Sequence, residues 1–324
     1  MTRPNIHLQI DAISCCNLRC PSCLVTYNRQ AIQGPLANKA IETEFLARIL
    51  DKAVGECNVA GVCLYMYSDP MLHPRLPELI NCVHQRNLRC LLSSNLNILR
   101  DPHAVMNANP DWIRVSVSGF CQEIYRRGHQ NGDIERVKAN MMRLAQARQL
   151  TGSKCEIEVY YIRYIDNGDD ERAMQDYAHS LGFKFTGSWA NISPVERIMA
   201  LIDRPQAVNH ADRTLLARMA VPLGEALAVT AKQPSPSCWL QDNYLSMDVE
   251  GNVYLCCAVS HENGNIIGNY LDLSISEVQN RQRHHSLCSP CKKLGIPDFY
   301  KMEKPEFDDI RNCVCLRVCN ANDS

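Results

Sequence analysis

Cys16-Asn-Leu-Arg-Cys20-Pro-Ser-Cys23 places three thiols at C-x3-C-x2-C spacing. A closed structural zinc site takes four protein ligands, built from paired Cys-x2-Cys units or from Cys with His. No further Cys or His follows Cys23 within ten residues. Three thiolates on one tight loop instead suit three irons of a [4Fe-4S] cube and leave the fourth iron open to an outside ligand. The bland alternative is a loop of free thiols packed as small hydrophobes.

A second group stands in the last third of the chain: Cys238, Cys256 and Cys288-Ser-Pro-Cys291. Glu250-Gly251 between two alternating runs predicts a hairpin, which brings Cys238 and Cys256 to one end. Four thiols fit a closed zinc site or a fully ligated [4Fe-4S] cluster equally well by spacing. Cys257 abuts this set, as a spare core thiol or as a hydrogen-atom donor. Cys313, Cys315 and Cys319 near the C-terminus either add cluster ligands or remain free. Cys57, Cys63, Cys82, Cys90, Cys121 and Cys155 are isolated and read as small core residues.

Cys16-x3-Cys20-x2-Cys23 after a first strand resembles the signature of the radical S-adenosylmethionine (SAM) superfamily, with Ser22 where an aromatic residue often stands. The resemblance implies that the open iron binds the amino and carboxylate groups of SAM, and that reductive cleavage gives a 5'-deoxyadenosyl radical. Met66-Tyr-Ser68-Asp69-Pro70 resembles the family's Gly-Gly-Glu-Pro segment, so Ser68 and Asp69 are expected to face the SAM amino group. By position after their strands, Ser94, Asn95, Ser116 and Ser118 resemble residues that bind the SAM ribose and carboxylate. Arg163 is expected to meet a SAM or substrate carboxylate, or else Asp69, Glu123 or Glu158. Cys238-x12-Gly251-x4-Cys256 followed by Cys288-x2-Cys291 resembles the auxiliary-cluster module appended to many such enzymes. Pro297 and Lys301 stand where the two-cluster SPASM form has cysteines, so the shorter twitch form with one auxiliary [4Fe-4S] cluster matches better.

The elements that must carry these residues follow from periodicity. Residues 5–13, 59–66, 90–94, 112–118, 156–164 and 183–185 read as strands, and residues 43–54, 76–86, 101–108, 133–149 and 169–181 as helices between them. Asp133 is a good N-cap, and residues 123–129 read as a polar loop. Strands alternating with helices imply a parallel sheet, and six units fit the partial (βα)6 barrel that the resemblance implies. The expected class is α/β: a radical SAM barrel over 1–195, a helical linker over 196–235 and a small α+β auxiliary-cluster domain over 236–324.

A chain of 324 residues is long enough for that plan. Its net charge of -1 argues against a nucleic-acid partner, and it shows neither a signal peptide nor an uninterrupted apolar span, so no membrane partner is expected. Eighteen cysteines bunched in short spacings point to a reducing, cytoplasmic setting and metal clusters rather than disulfides. The expected function is dehydrogenation or epimerisation of a polar small molecule, sugar or aminocyclitol in type, with flavodoxin or ferredoxin as electron donor. The alternative is maturation of a ribosomally made peptide; the start of the thiol loop by residue 16 leaves no room before it for an added recognition domain.

Overall fold

Six strands, β1 (Asn5–Ile10), β2 (Asn58–Cys63), β3 (Cys90–Ser94), β4 (Trp112–Val117), β5 (Glu156–Arg163) and β6 (Lys184–Trp189), lie parallel and side by side in chain order. This is a computed structural model, and it describes residues 3–27, 37–232, 234–261, 263–301, 306, 307 and 310. Cys313, Cys315 and Cys319 fall outside the described residues.

The connections carry α1 (Leu24–Tyr27) and α2 (Thr43–Glu56) after β1, then α3 (Leu76–His84), α4 (Pro102–Ala108), α5 (Gln122–Gly128), α6 (Ile134–Thr151) and α7 (Gly168–Ser180). Their limits follow from local chemistry. Asp101 caps α4 by accepting from Ala104 N, with Pro102 at the first position, and Asp133 caps α6 by accepting from Glu135 N and Arg136 N. Period-two alternation sets the two faces of the sheet. In β4, Ile113, Val115 and Val117 are fully buried under the helices, while Trp112, Arg114 and Ser116 line the inner face.

One expected loop is a helix. Gln122–Gly128 has a charged sequence, but Tyr125 is wholly buried, and Asp170 accepts from Phe120 N and Cys121 N to fix the helix start. Cys121 at that start is exposed rather than part of the core, whereas Cys57, Cys63, Cys82, Cys90 and Cys155 are buried as expected.

Beyond β6 come α8 (Val195–Asp203), α9 (His210–Arg218), α10 (Leu223–Thr230) and α11 (Trp239–Asn243). The chain then returns to the sheet: β7 (Tyr244–Met247) lies parallel beside β1, with His7 opposite Tyr244 and Ile10 opposite Met247. β8 (Asn252–Tyr254) and β9 (Ile266–Asn269) add antiparallel, giving the order β6-β5-β4-β3-β2-β1-β7-β8-β9. Gly251 makes the β7–β8 turn at φ 78°, a left-handed conformation that glycine adopts without a Cβ penalty. Then α12 (Ile275–Arg283), closed by a Ser274/Glu277 capping box, leads to α13 (Cys288–Lys293).

Candidate functional site

Cys16, Cys20 and Cys23 sit on the loop between β1 and α1, at the C-terminal ends of the parallel strands, and all three are free thiols. Each influences the others electrostatically, yet among the described residues no three His, Cys, Asp or Glu side chains close on a single metal ion. Burial pushes the Cys16 thiol up to about 12 and Cys20 well above its usual range, with neighbouring negative groups adding to both. Three partly buried thiols on one loop, in electrostatic reach of one another, are the type of donor that an iron-sulfur cube takes, and a bound cation would offset the cost of ionising them.

The loop is gripped from several sides. Arg19 N donates to Gln130 O at 3.0 Å, and the Arg19 guanidinium donates to Cys16 O at 2.9 Å. Ser193 N donates to Ser22 O at 3.1 Å, and Arg197 Nη1 donates to Pro21 O at 2.8 Å. Arg197 is itself 6% exposed and paired with the buried Asp212 of α9. The helical segment after β6 thus fixes the backbone between Cys20 and Cys23.

Two buried carboxylates lie beneath the loop, each pushed up to about 6 by burial against the hydrogen bonds that favour its charge. Asp11 accepts from Met66 N, Tyr67 N and Ser68 Oγ at 3.0, 2.9 and 2.6 Å. Asp69 accepts from Met71 N at 3.0 Å, Ser94 Oγ at 2.8 Å, Asn95 N at 2.9 Å and the Asn95 amide. Four donors saturate a carboxylate, so Asp69 has no lone pair left for a ligand ammonium, and the Ser68 hydroxyl is turned to Asp11.

Ser94 and Asn95 are likewise engaged with Asp69, and Asn95 Nδ2 reaches Asn17 Oδ1 at 3.0 Å and Cys16 Sγ at 3.8 Å. The polar chain continues through Asn97 to the Tyr125 hydroxyl at 2.8 Å, and Tyr125 stacks on His129 at 4.9 Å. Ser118 Oγ lies 2.7 Å from His129 Nδ1 and is fully buried, so it faces this chain rather than the chamber. Ser116 is on the inner face and half-buried. Arg163 holds Glu171 with Nε and Nη2, at 2.9 and 2.7 Å, and stacks over Trp189 at 5.0 Å. None of the three carboxylates expected from sequence is its partner, because the turn of α7 behind β5 brings Glu171 to it first. Asp11 was missed; its one sequence signal is an acid directly ending an alternating apolar strand.

In the C-terminal segment, Cys238, Cys256, Cys288 and Cys291 line one small apolar pocket, walled by Leu240, Leu255, Leu287 and Tyr300. The four thiols are within electrostatic reach of one another, and burial raises all of them. Cys257 lies between Cys238 and Cys63 of β2 and is pushed up to about 12 by burial. Tyr67 joins the two thiol sets. Its ring packs with Cys16 and Cys23, and its hydroxyl donates to Val259 O at 3.0 Å and Cys256 O at 3.3 Å.

With this geometry, comparison with known proteins is informative at the level of fold. The sequence matches no protein-family model and no curated protein. Among solved structures it is similar to Streptococcus suis SuiB bound to precursor peptide SuiA, at TM-score 0.59 and 13% identity over 94% of this chain and 75% of that one. It is also similar to anSMEcpe with bound AdoMet, at TM-score 0.54 and 15% identity over 95% of this chain and 100% of that one. A further anSMEcpe structure, with AdoMet and the Cp18Cys peptide, aligns at TM-score 0.53 and 15% identity over 96% and 100% of the two chains. The chain therefore shares the fold of these structures, a mostly parallel α/β sheet.

Proposed function

We propose that this chain is a radical SAM oxidoreductase, with Cys16, Cys20 and Cys23 holding a [4Fe-4S] cluster that binds SAM and the inner face of the sheet forming the substrate chamber. The observation that carries this reading is the half-buried, backbone-clamped loop of three thiols at the strand ends. When bound, cluster and SAM together supply a 5'-deoxyadenosyl radical and methionine from one electron delivered by a reduced flavodoxin or ferredoxin. This chain's residues do the positioning. Asp69, Ser94 and Asn95 stiffen the loop from below, Arg197 from the side, and the backbone of residues 66–68 faces the ligand. Cys238, Cys256, Cys288 and Cys291 hold an auxiliary [4Fe-4S] cluster in the apolar cavity they line.

The substrate is a polar small molecule, which suits an inner face bearing Gln9, Ser93, Arg114, Ser116 and Glu158. The outcome would be dehydrogenation if the substrate radical loses a proton and gives its second electron to the auxiliary cluster, or epimerisation if Cys257 returns a hydrogen atom from its S–H to the opposite face, the resulting thiyl being restored by one electron from the flavodoxin or ferredoxin donor and a proton. A peptide substrate is the second reading, favoured by the peptides in the SuiB and anSMEcpe structures. The test is anaerobic reconstitution with iron and sulfide, followed by reduction with SAM. Formation of 5'-deoxyadenosine and methionine, abolished in Cys16→Ala, is expected; no cleavage of SAM by fully iron-loaded protein rejects the reading. Solvent deuterium retained at carbon in the product separates epimerisation from dehydrogenation.

A further inference from the structure

Arg114 stands on the inner face of β4, in register between Ser93 of β3 and Glu158 of β5. Its guanidinium is held by three rings, with its central carbon 4.9 Å from Tyr160, 5.4 Å from Tyr65 and 5.7 Å from Trp112. Nε donates to Ser93 Oγ at 3.0 Å. Nη1 and Nη2 make no hydrogen bond among the described residues, and no described carboxylate lies within ion-pair distance of them. The nearest acid along the register is turned away. Glu158 accepts from Trp112 Nε1 at 3.1 Å and from Thr186 Oγ1.

A half-buried arginine normally meets a carboxylate, because its charge is costly to desolvate unpaired. Here aromatic faces support the cation laterally, while the two-nitrogen edge, the part of the fork that matches a carboxylate, is left open. The alternation of β4 puts Arg114 on the face read as the chamber, opposite the buried Ile113 and Val115, and its charge is felt by Cys63 and Tyr244. We propose that Arg114 is an anion anchor that takes a carboxylate bidentately between the Trp112 and Tyr160 rings, so that the molecule bound in the chamber is an acid. The inference rests on the reading of the inner face as the substrate chamber. The carboxylate is the substrate's, and the methionyl carboxylate of SAM is the competing occupant that the experiment separates from it.

Isothermal titration calorimetry of the iron-loaded protein with glutarate, and with glutaramide as the uncharged control, tests the anchor without any turnover. Glutarate is expected to bind saturably and glutaramide not, with affinity for glutarate falling about tenfold or more in Arg114→Met. Arg114→Lys, a point charge without the fork, is expected to fall between the two. Equal affinity of wild type and Arg114→Met for glutarate, or equal binding of glutaramide, overturns the proposal. Should Arg114→Met fail to fold, the wild-type pair of titrations and Arg114→Lys decide it. Repeating the glutarate titration in saturating SAM identifies the source: retention of binding supports a substrate carboxylate, and loss of binding assigns the edge to SAM and overturns the proposal. SAM cleavage by the wild type is measured separately, so failure of the radical SAM reading is distinct from failure of the anchor.

Discussion

Asp69 illustrates how a residue type carries less than its partners do. A carboxylate after a strand suggests a ligand acceptor, and in the fold four internal donors converge on it under the thiol loop. Asp69→Ala leaves those buried donors unmet, and is expected to lower stability by roughly 3 kcal/mol. Chemical denaturation measures it, and a loss under about 1 kcal/mol would reject the network role. His129, fully enclosed and pushed down to about 4 by burial, gives a pH dependence of known sign. Between 6.5 and about 4 the unfolded chain protonates this histidine while the folded chain does not, so stability falls as pH drops through that window. The limit is about 3 kcal/mol. Asp11 and Asp69, each raised from 3.8 to about 6, act in the opposite direction over the same window and together outweigh it, so the histidine term shows only as a difference between variants. The melting temperature of His129→Phe relative to wild type is expected to rise as pH drops from 6.5 to 4; a constant difference shows that His129 does not titrate there.

Among the elements, α8 and α9 matter most for what their sequence hides. An Ala- and Leu-rich connection was legible as helix, but not that Arg197 and Asp212 would form a buried pair reaching the carbonyl of Pro21. Arg197→Met strands the Asp212 charge and is expected to cost about 3–5 kcal/mol, whereas Arg197→Met with Asp212→Leu recovers most of it. Denaturant midpoints of the two single variants and the double variant check this, and additive losses would exclude the pair as the cause. Helix α5 depends on a close approach: a Cβ at Gly119 would lie 2.6 Å from Tyr125 N. Gly119→Ala therefore drives α5 from β4, with an expected loss above about 2 kcal/mol and weakened Tyr125–His129 stacking, seen as altered near-ultraviolet dichroism.

For the whole molecule, the decisive contact is β1 with β7. The segment carrying the second thiol set is a continuation of the sheet, and Tyr67 ties its backbone to the first set. Removing residues 236–324 would expose β1 as an open edge beside Leu8 and Ile10, both fully buried in the intact chain. The truncated chain is expected to aggregate, judged by soluble yield and size-exclusion profile. A monodisperse truncated protein would show that the six parallel strands stand alone. Among the described residues no helix is long and apolar enough to cross a membrane.

Local signals determined a great deal by themselves. The spacing of Cys16, Cys20 and Cys23 fixes a three-thiol loop because ligand spacing is a property of contiguous chain, and the strand and helix periods yield the six βα units because each face must alternate with burial. The hairpin at Gly251 was legible for the same reason. Tertiary structure alone decided the rest: which donors saturate Asp69, that Glu171 takes Arg163, that Ser118 turns to His129, and that Arg114 stands caged and open. Each of these depends on groups brought together by sheet register and helix packing from positions far apart in the chain, and no local pattern encodes which neighbour arrives first.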